Sequence, residues 1–241
     1  MVHNSRTTLS PIQQPVQKTT MSSRRIIALT KEGISNLQGG RIINAVLSLR
    51  HAAECLKASH RNQSDFQEVV ELNDSPLFNV PLLLDTTPIS VASPHNAFDV
   101  YTSAFLQPTV GDIASFHSEV SIIIFYNLGL AHHLAATSGA TDSAKHLQQA
   151  LRCYKIALTV FQSKGRLHFD DWYSLLLGLL NNMGHIYCHS WQVKEAKTCC
   201  EHIDALLSSP DAETLSEEDG TFFFGAAFHS RSFTGVVAPA A

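Results

Sequence analysis

The chain has no acidic residue before Glu32, and charged residues make up only 16% of it, 17 Lys and Arg against 21 Asp and Glu. A net charge of -4 leaves no basic field along which a phosphate backbone could lie, which argues against nucleic-acid binding as a main activity. Long apolar runs are missing as well. The stretch 121–136 is interrupted by Asn127, His132 and His133, so it falls short of the roughly 18 residues a membrane span needs and implies no membrane partner. The chain carries no HExxH, CxxC, GxSxG, P-loop or dinucleotide fingerprint. Its five cysteines, Cys55, Cys153, Cys188, Cys199 and Cys200, sit inside helical patterns of a chain too large to need covalent staples. Reduced, buried thiols and a cytoplasmic location are the expectation.

What is there is helical periodicity. Hydrophobic residues form 44% of the 241, enough for a core of one large or two small domains. The stretch 174–207 carries the pattern most cleanly. Leu176, Leu177, Leu180, Met183, Ile186 and Tyr187 recur at steps of three and four, and Val193, Ala196, Cys199, Cys200, Ile203, Leu206 and Leu207 do so again. Only residues 189–192 are left to reverse direction, so the two helices pack antiparallel. Such a hairpin needs neighbours of its own kind to bury both its faces.

Two further pairs precede it. In the first, a short helix through Ile26, Ile27, Leu29, Gly33, Ile34 and Leu37 meets the turn Gly39-Gly40, and a second helix runs through Ala45, Val46, Leu49, Ala52, Ala53 and Leu56. In the second pair, Val120, Ile123, Ile124, Leu128, Ala131 and Leu134 form a stripe. The turn ATSGATDS follows, and Thr141 or Asp142 caps a helix through Leu147, Ala150, Leu151, Tyr154, Ala157, Leu158 and Phe161. Between these pairs, 58–115 reads as a long irregular insert. Within it 78–84 and 98–106 are rich in β-formers and could pair as a small β ribbon.

The ends differ from the middle. Residues 1–22 are Ser, Thr, Gln and Pro without periodicity and read as a disordered tail. Arg6, Lys18, Arg24, Arg25 and Lys31 in an acid-free setting leave import into an organelle as the alternative. Residues 210–241 read as an extension packed on a 23–209 helical domain and ending in a flexible tail. In it an acidic turn (Glu213, Glu217, Glu218, Asp219) leads to an aromatic run from Phe222 that suits either a strand or a helical turn.

The three pairs resemble tetratricopeptide repeats, which place a small residue in the first helix and small, large and small residues in the second. Here those are Gly33 with Ala45, Leu49 and Ala52; Gly129 with Ala150, Tyr154 and Ala157; and Gly184 with Ala196, Cys200 and Ile203. YNLGLAHHL and NNMGHIY are the most specific strings. The departures are Trp191 at a usual turn glycine, Ile203 for alanine, and repeats spaced far wider than the roughly 34 residues of a regular array. The layout also resembles small uncharacterised tetratricopeptide-like proteins predicted in single-celled algae, which implies a fold and no activity. The resemblance implies a mainly α chain, an α-α superhelix of about three hairpins.

The resemblance also implies a concave groove for a peptide or protein segment, lined by first helices. Pattern matching puts Thr30, Ile34, Leu37, Tyr126, Leu130, His133, Asn181, His185, Cys188 and His189 there. Chaperone adaptors of the family hold a terminal carboxylate with Lys, Arg and Asn in this groove, and these positions carry no Lys or Arg, so an apolar or mixed segment is the expected ligand. The expectation is a non-catalytic interaction scaffold without a cofactor. The alternative is a zinc-binding protein or metal-dependent hydrolase built on His185 and His189, one helical turn apart, with Cys188 beside them and His132, His133 or His202 as a third ligand. With 13 histidines in the chain, such pairs also arise by chance. Cys199-Cys200 reads as a packing pair before a nucleophile. Asp170-Asp171 reads as a helix cap before a carboxylate dyad, and Trp172 and Tyr173 as core.

Overall fold

A computed structural model describes residues 14–61, 98–106, 113–139, 142–164 and 172–234. Among these the chain is mainly α, with seven helices and no strand. They are α1 (Gln14–Gln38), α2 (Ile42–Arg61), α3 (Ile113–Thr137), α4 (Ser143–Lys164), α5 (Trp172–His189), α6 (Val193–Leu207) and, after a 3-10 turn at Pro210–Thr214, α7 (Glu217–Thr234). The pairs α1/α2, α3/α4 and α5/α6 pack as hairpins, and they stack in chain order through α2 on α3 and α4 on α5, with α7 against α6 and α5. Helix α1 begins inside the stretch expected to be a tail.

Two turns reverse the chain by the same hydrogen bonds. After α1, Arg41 N–H reaches Asn36 O (2.8 Å) and Gly40 N–H reaches Leu37 O (3.0 Å), the Schellman pattern that needs a left-handed residue just past the helix. Gly40 supplies it at φ 69°. After α5, Gln192 N–H reaches Tyr187 O (2.9 Å) and Trp191 N–H reaches Cys188 O (3.1 Å), and the left-handed residue is Trp191 at φ 57°. At the α3/α4 turn Asp142 O accepts from His146 N–H (3.0 Å), so Asp142 stands at the cap position.

Close crossing depends on missing side chains. A Cβ on Gly33 would meet Leu49 at 2.5 Å, and one on Gly129 would meet Tyr154 at 2.7 Å. In these two pairs the large residue lies over the glycine of its own hairpin, and Tyr154 also reaches the next hairpin, where Asn182 Nδ2 donates to its hydroxyl. The third pair differs. Gly184 makes room for Phe98, whose ring would lie 2.6 Å from a Cβ there, rather than for a residue of α6.

Helix α3 is largely buried. Within it 117–137 is long and apolar enough, by composition, to cross a membrane despite its Asn and His residues, and 83% of the apolar window is buried in the protein. The aromatic run is helical. Ser216 caps α7, its Oγ accepting from Asp219 N–H (3.1 Å), and Glu217, Glu218 and Asp219 occupy the first turn, where negative charge offsets the helix dipole. Phe223, Ala226 and Ala227 are buried.

Candidate binding groove

Residues 98–106 lie between α3 and α5 as neither helix nor strand. Of the two segments expected to form a β ribbon, 78–84 lies outside the described residues. The other finds its hydrogen-bond partners in side chains instead of a neighbouring strand. Tyr101 N–H donates to Asn182 Oδ1 (2.8 Å) and Tyr101 O accepts from Asn182 Nδ2 (3.0 Å). Four residues on, Phe105 N–H donates to Asn127 Oδ1 (3.1 Å) and Phe105 O accepts from Asn127 Nδ2 (2.8 Å). Asn181 Nδ2 donates to Asp99 O (2.7 Å). A carboxamide offers one acceptor and two donors in a plane, so it can pair with both polar groups of a residue as an adjacent strand would. Buried main-chain groups need such partners, at about 1–3 kcal/mol for each one stranded.

The side chains of the segment fill the gap. Phe98, Tyr101 and Phe105 are buried, each worth about 1.5–3 kcal/mol of apolar transfer. Phe98 rests on Gly184 and Tyr101 on Gly178, where a Cβ would come within 2.8 Å of the Tyr101 ring. Phe105 meets Tyr126 edge-on at 5.0 Å. Tyr101 also ties α7 to the site: its hydroxyl donates to Asp219 Oδ1 (2.6 Å), Ser174 Oγ donates to Oδ2 (2.8 Å), and Phe223 packs at 4.7 Å.

Beyond Phe98 the two helices meet directly. His133 Nε2 lies 2.9 Å from His185 Nδ1, and Tyr154 Oη lies 3.4 Å from His133 Nδ1 and 3.2 Å from Asn182 Nδ2. The chain of contacts assigns the protons: Asn182 donates to Tyr154, Tyr154 to His133 Nδ1, and His133 Nε2–H to His185. Burial, with His185 and His189 as like charges nearby, pushes His133 down to about 3. Burial and His189 push His185 down to about 4, against Asp99. Burial holds the Tyr154 phenol well above its usual value. The pair is therefore neutral at physiological pH. Among the described residues no group of three or more His, Cys, Asp and Glu side chains gathers to hold a metal ion. His185 is turned onto His133, while His189 and His202 are exposed.

The residues expected to line an open groove are thus mostly interior. Tyr126, Leu130, His133, Asn181, His185 and Cys188 are buried around or beyond the inserted segment. Thr30, Ile34 and Leu37 are buried in the first hairpin, with the Thr30 hydroxyl bonded back to Ile26 O (2.8 Å). Two polar atoms of the site, Tyr126 Oη and Asn181 Oδ1, are buried without a hydrogen-bond partner. Burial pushes the Cys188 thiol up to about 11 and Cys199 to about 12, the state of packing thiols. Trp172 stacks edge-on against Phe161 at 5.7 Å, and the Tyr173 hydroxyl donates to Leu206 O. Asp170 and Asp171 lie outside the described residues.

Asn127 and Asn182 were not among the residues expected to bind. Their signal was available. Each interrupts an apolar helical face two positions before a glycine, Asn127-Leu128-Gly129 and Asn182-Met183-Gly184, whereas the first hairpin has Lys31-Glu32-Gly33. No protein-family model, curated protein or solved structure matches this chain significantly.

Proposed function

We propose that this protein is a non-catalytic interaction scaffold of degenerate tetratricopeptide type, whose groove between α3 and α5 takes an extended aromatic segment of a partner. Residues 98–106 are its resident ligand in cis. The observation that carries the reading is the pair of carboxamides, Asn127 and Asn182, each matched to both main-chain polar groups of one residue. That device reads extended backbone whatever its sequence, while Gly178 and Gly184 leave pockets that select rings. A partner would carry aromatic residues at the spacing of Phe98, Tyr101 and Phe105 and exchange with the resident segment.

Occupancy in cis lowers apparent affinity by the fraction of time the groove is free. A fluorescein-labelled peptide with the sequence of residues 97–107, titrated into the full chain, should bind saturably. It should bind about ten-fold more tightly to Tyr101→Ala or Phe105→Ala, which loosen the resident segment. Circular dichroism establishes that either variant remains helical. A peptide of scrambled order should not compete. Absence of saturable binding to all three proteins, or equal competition by the scrambled peptide, would overturn the proposal.

A further inference from the structure

The first and last elements of the stack each carry exposed apolar side chains, on faces of opposite charge. On α2, Ile43 and Leu47 are 63% and 57% exposed, although Val46, Leu49 and Leu56 of the same helix are buried. They stand one turn apart on a single face. That face continues into Arg50, seven residues after Ile43, and His51, one turn after Leu47, both exposed. Arg25 of α1 reaches it, with Nη2 3.1 Å from His51 Nε2. Over 22–56 the exposed charged side chains are five cations and two carboxylates. On α7, Phe224 is 54% exposed. It follows Glu217 by seven residues, so both project from one face. Glu218 is exposed beside Glu217, and 208–227 contain no Lys or Arg. Among the described residues none of Arg50, Glu217 and Glu218 makes an ion pair.

We propose that these two faces dock on each other between copies of the chain. Helix α7 of one molecule lies antiparallel across α2 of a second, with Phe224 against Ile43 and Leu47, and with Glu217 and Glu218 against Arg50 and Arg25. Register and charge both select this occupant. From Ile43 to Arg50 and from Glu217 to Phe224 is the same seven residues, about 10.5 Å along a helix. An antiparallel crossing that sets Phe224 over Ile43 therefore sets Glu217 over Arg50. Glu54, one turn past Arg50, then falls beyond the N-terminus of α7. The two faces are kept apart within one chain, because α2 belongs to the first hairpin and α7 packs on the last, with the α3/α4 hairpin between them. Each copy offers both halves of the contact. An aromatic anchor among aliphatic residues, rimmed by charge, is the usual anatomy of an interface. The contact uses outer faces only, so it stands whether or not the α3/α5 groove takes a partner.

Sedimentation velocity of the full chain, from about 10 to 500 µM, tests the contact. The weight-average mass should rise above that of one chain with concentration. It should rise less at about 0.5 M than at about 0.05 M NaCl, because exposed charge pairs are screened. Phe224→Ala, Arg25→Glu/Arg50→Glu and Glu217→Arg/Glu218→Arg should each weaken self-association about five-fold or more. All five side chains are exposed, so the core is spared, and circular dichroism establishes that each variant remains helical. An equimolar mixture of the two charge-reversed proteins should associate again, since each then meets its opposite charge on the other. Loss of fold in either variant would not produce that recovery. The mass of a single chain at every concentration, association untouched by both double variants, or a mixture that associates no more than its components would each overturn the proposal.

Discussion

Trp191 shows how a single residue can hold a turn against its own preference. A side chain at φ 57° brings Cβ against the following carbonyl, a cost of about 1–2 kcal/mol for most residues and none for glycine. The equivalent turn after α1 uses Gly40 for the same hydrogen bonds. The indole is 50% exposed, so the contacts it makes offset only part of that cost. Trp191→Gly is therefore expected to raise stability by up to about 1 kcal/mol, and Trp191→Ala, which keeps the strain and loses the ring, should not. Urea midpoints of the two variants measure the difference. A glycine variant as weak as the alanine variant would show that indole packing, not backbone strain, governs the turn.

At the scale of elements, the inserted segment stands on its asparagines. Asn182→Ala or Asn127→Ala strands an N–H and a C=O in the interior, at about 1–3 kcal/mol for each group, so each should cost about 3 kcal/mol or more in urea unfolding. Asn181→Ala removes hydrogen bonds to Asp99 O and to Asn182 Oδ1, together with its own already unpartnered Oδ1, but takes the partner from one main-chain group instead of two and should cost clearly less. The reverse ranking would show that the segment is held by its rings alone. This element also marks the limit of what was legible. The helices of the three hairpins follow from apolar residues at steps of three and four, because each stripe reports the face it buries. Residues 98–106 carry β-formers but pair with carboxamides from distant helices, and no local pattern encodes that. Helix α7 stayed ambiguous because Phe222, Phe223 and Phe224 are consecutive and give no single stripe. Its cap, Ser216 three residues before Asp219, was nevertheless in plain view.

For the whole molecule, the groove core couples stability to pH. His133 joins α3 to His185 on α5, and His132 joins α3 to His146 on α4. Burial pushes His132 down to about 4, with His146 and Arg50 acting in the same direction, beside about 3 for His133 and about 4 for His185. In the unfolded chain each titrates near 6.5. Between about 6.5 and 4 the unfolded state therefore binds protons that the folded state refuses, and stability falls as pH falls. Each histidine contributes a slope of about 1.4 kcal/mol per pH unit in that window and none above it. A proton entering at His185 Nδ1 would also leave two donors facing each other at the contact that closes α3 onto α5, and one entering at His133 Nδ1 would oppose the Tyr154 hydroxyl that donates there. Urea midpoints at about pH 7.5, 6.5, 5.5 and 4.5 should be level across the first two and then drop. His185→Gln, which keeps an amide in reach of His133 without a titrating ring, should reduce the slope by about 1.4 kcal/mol per pH unit. A midpoint unchanged from about pH 7 to 5 would mean that these rings take up protons in the folded state, and that the buried chain from His185 to Asn182 opens without loss of the fold.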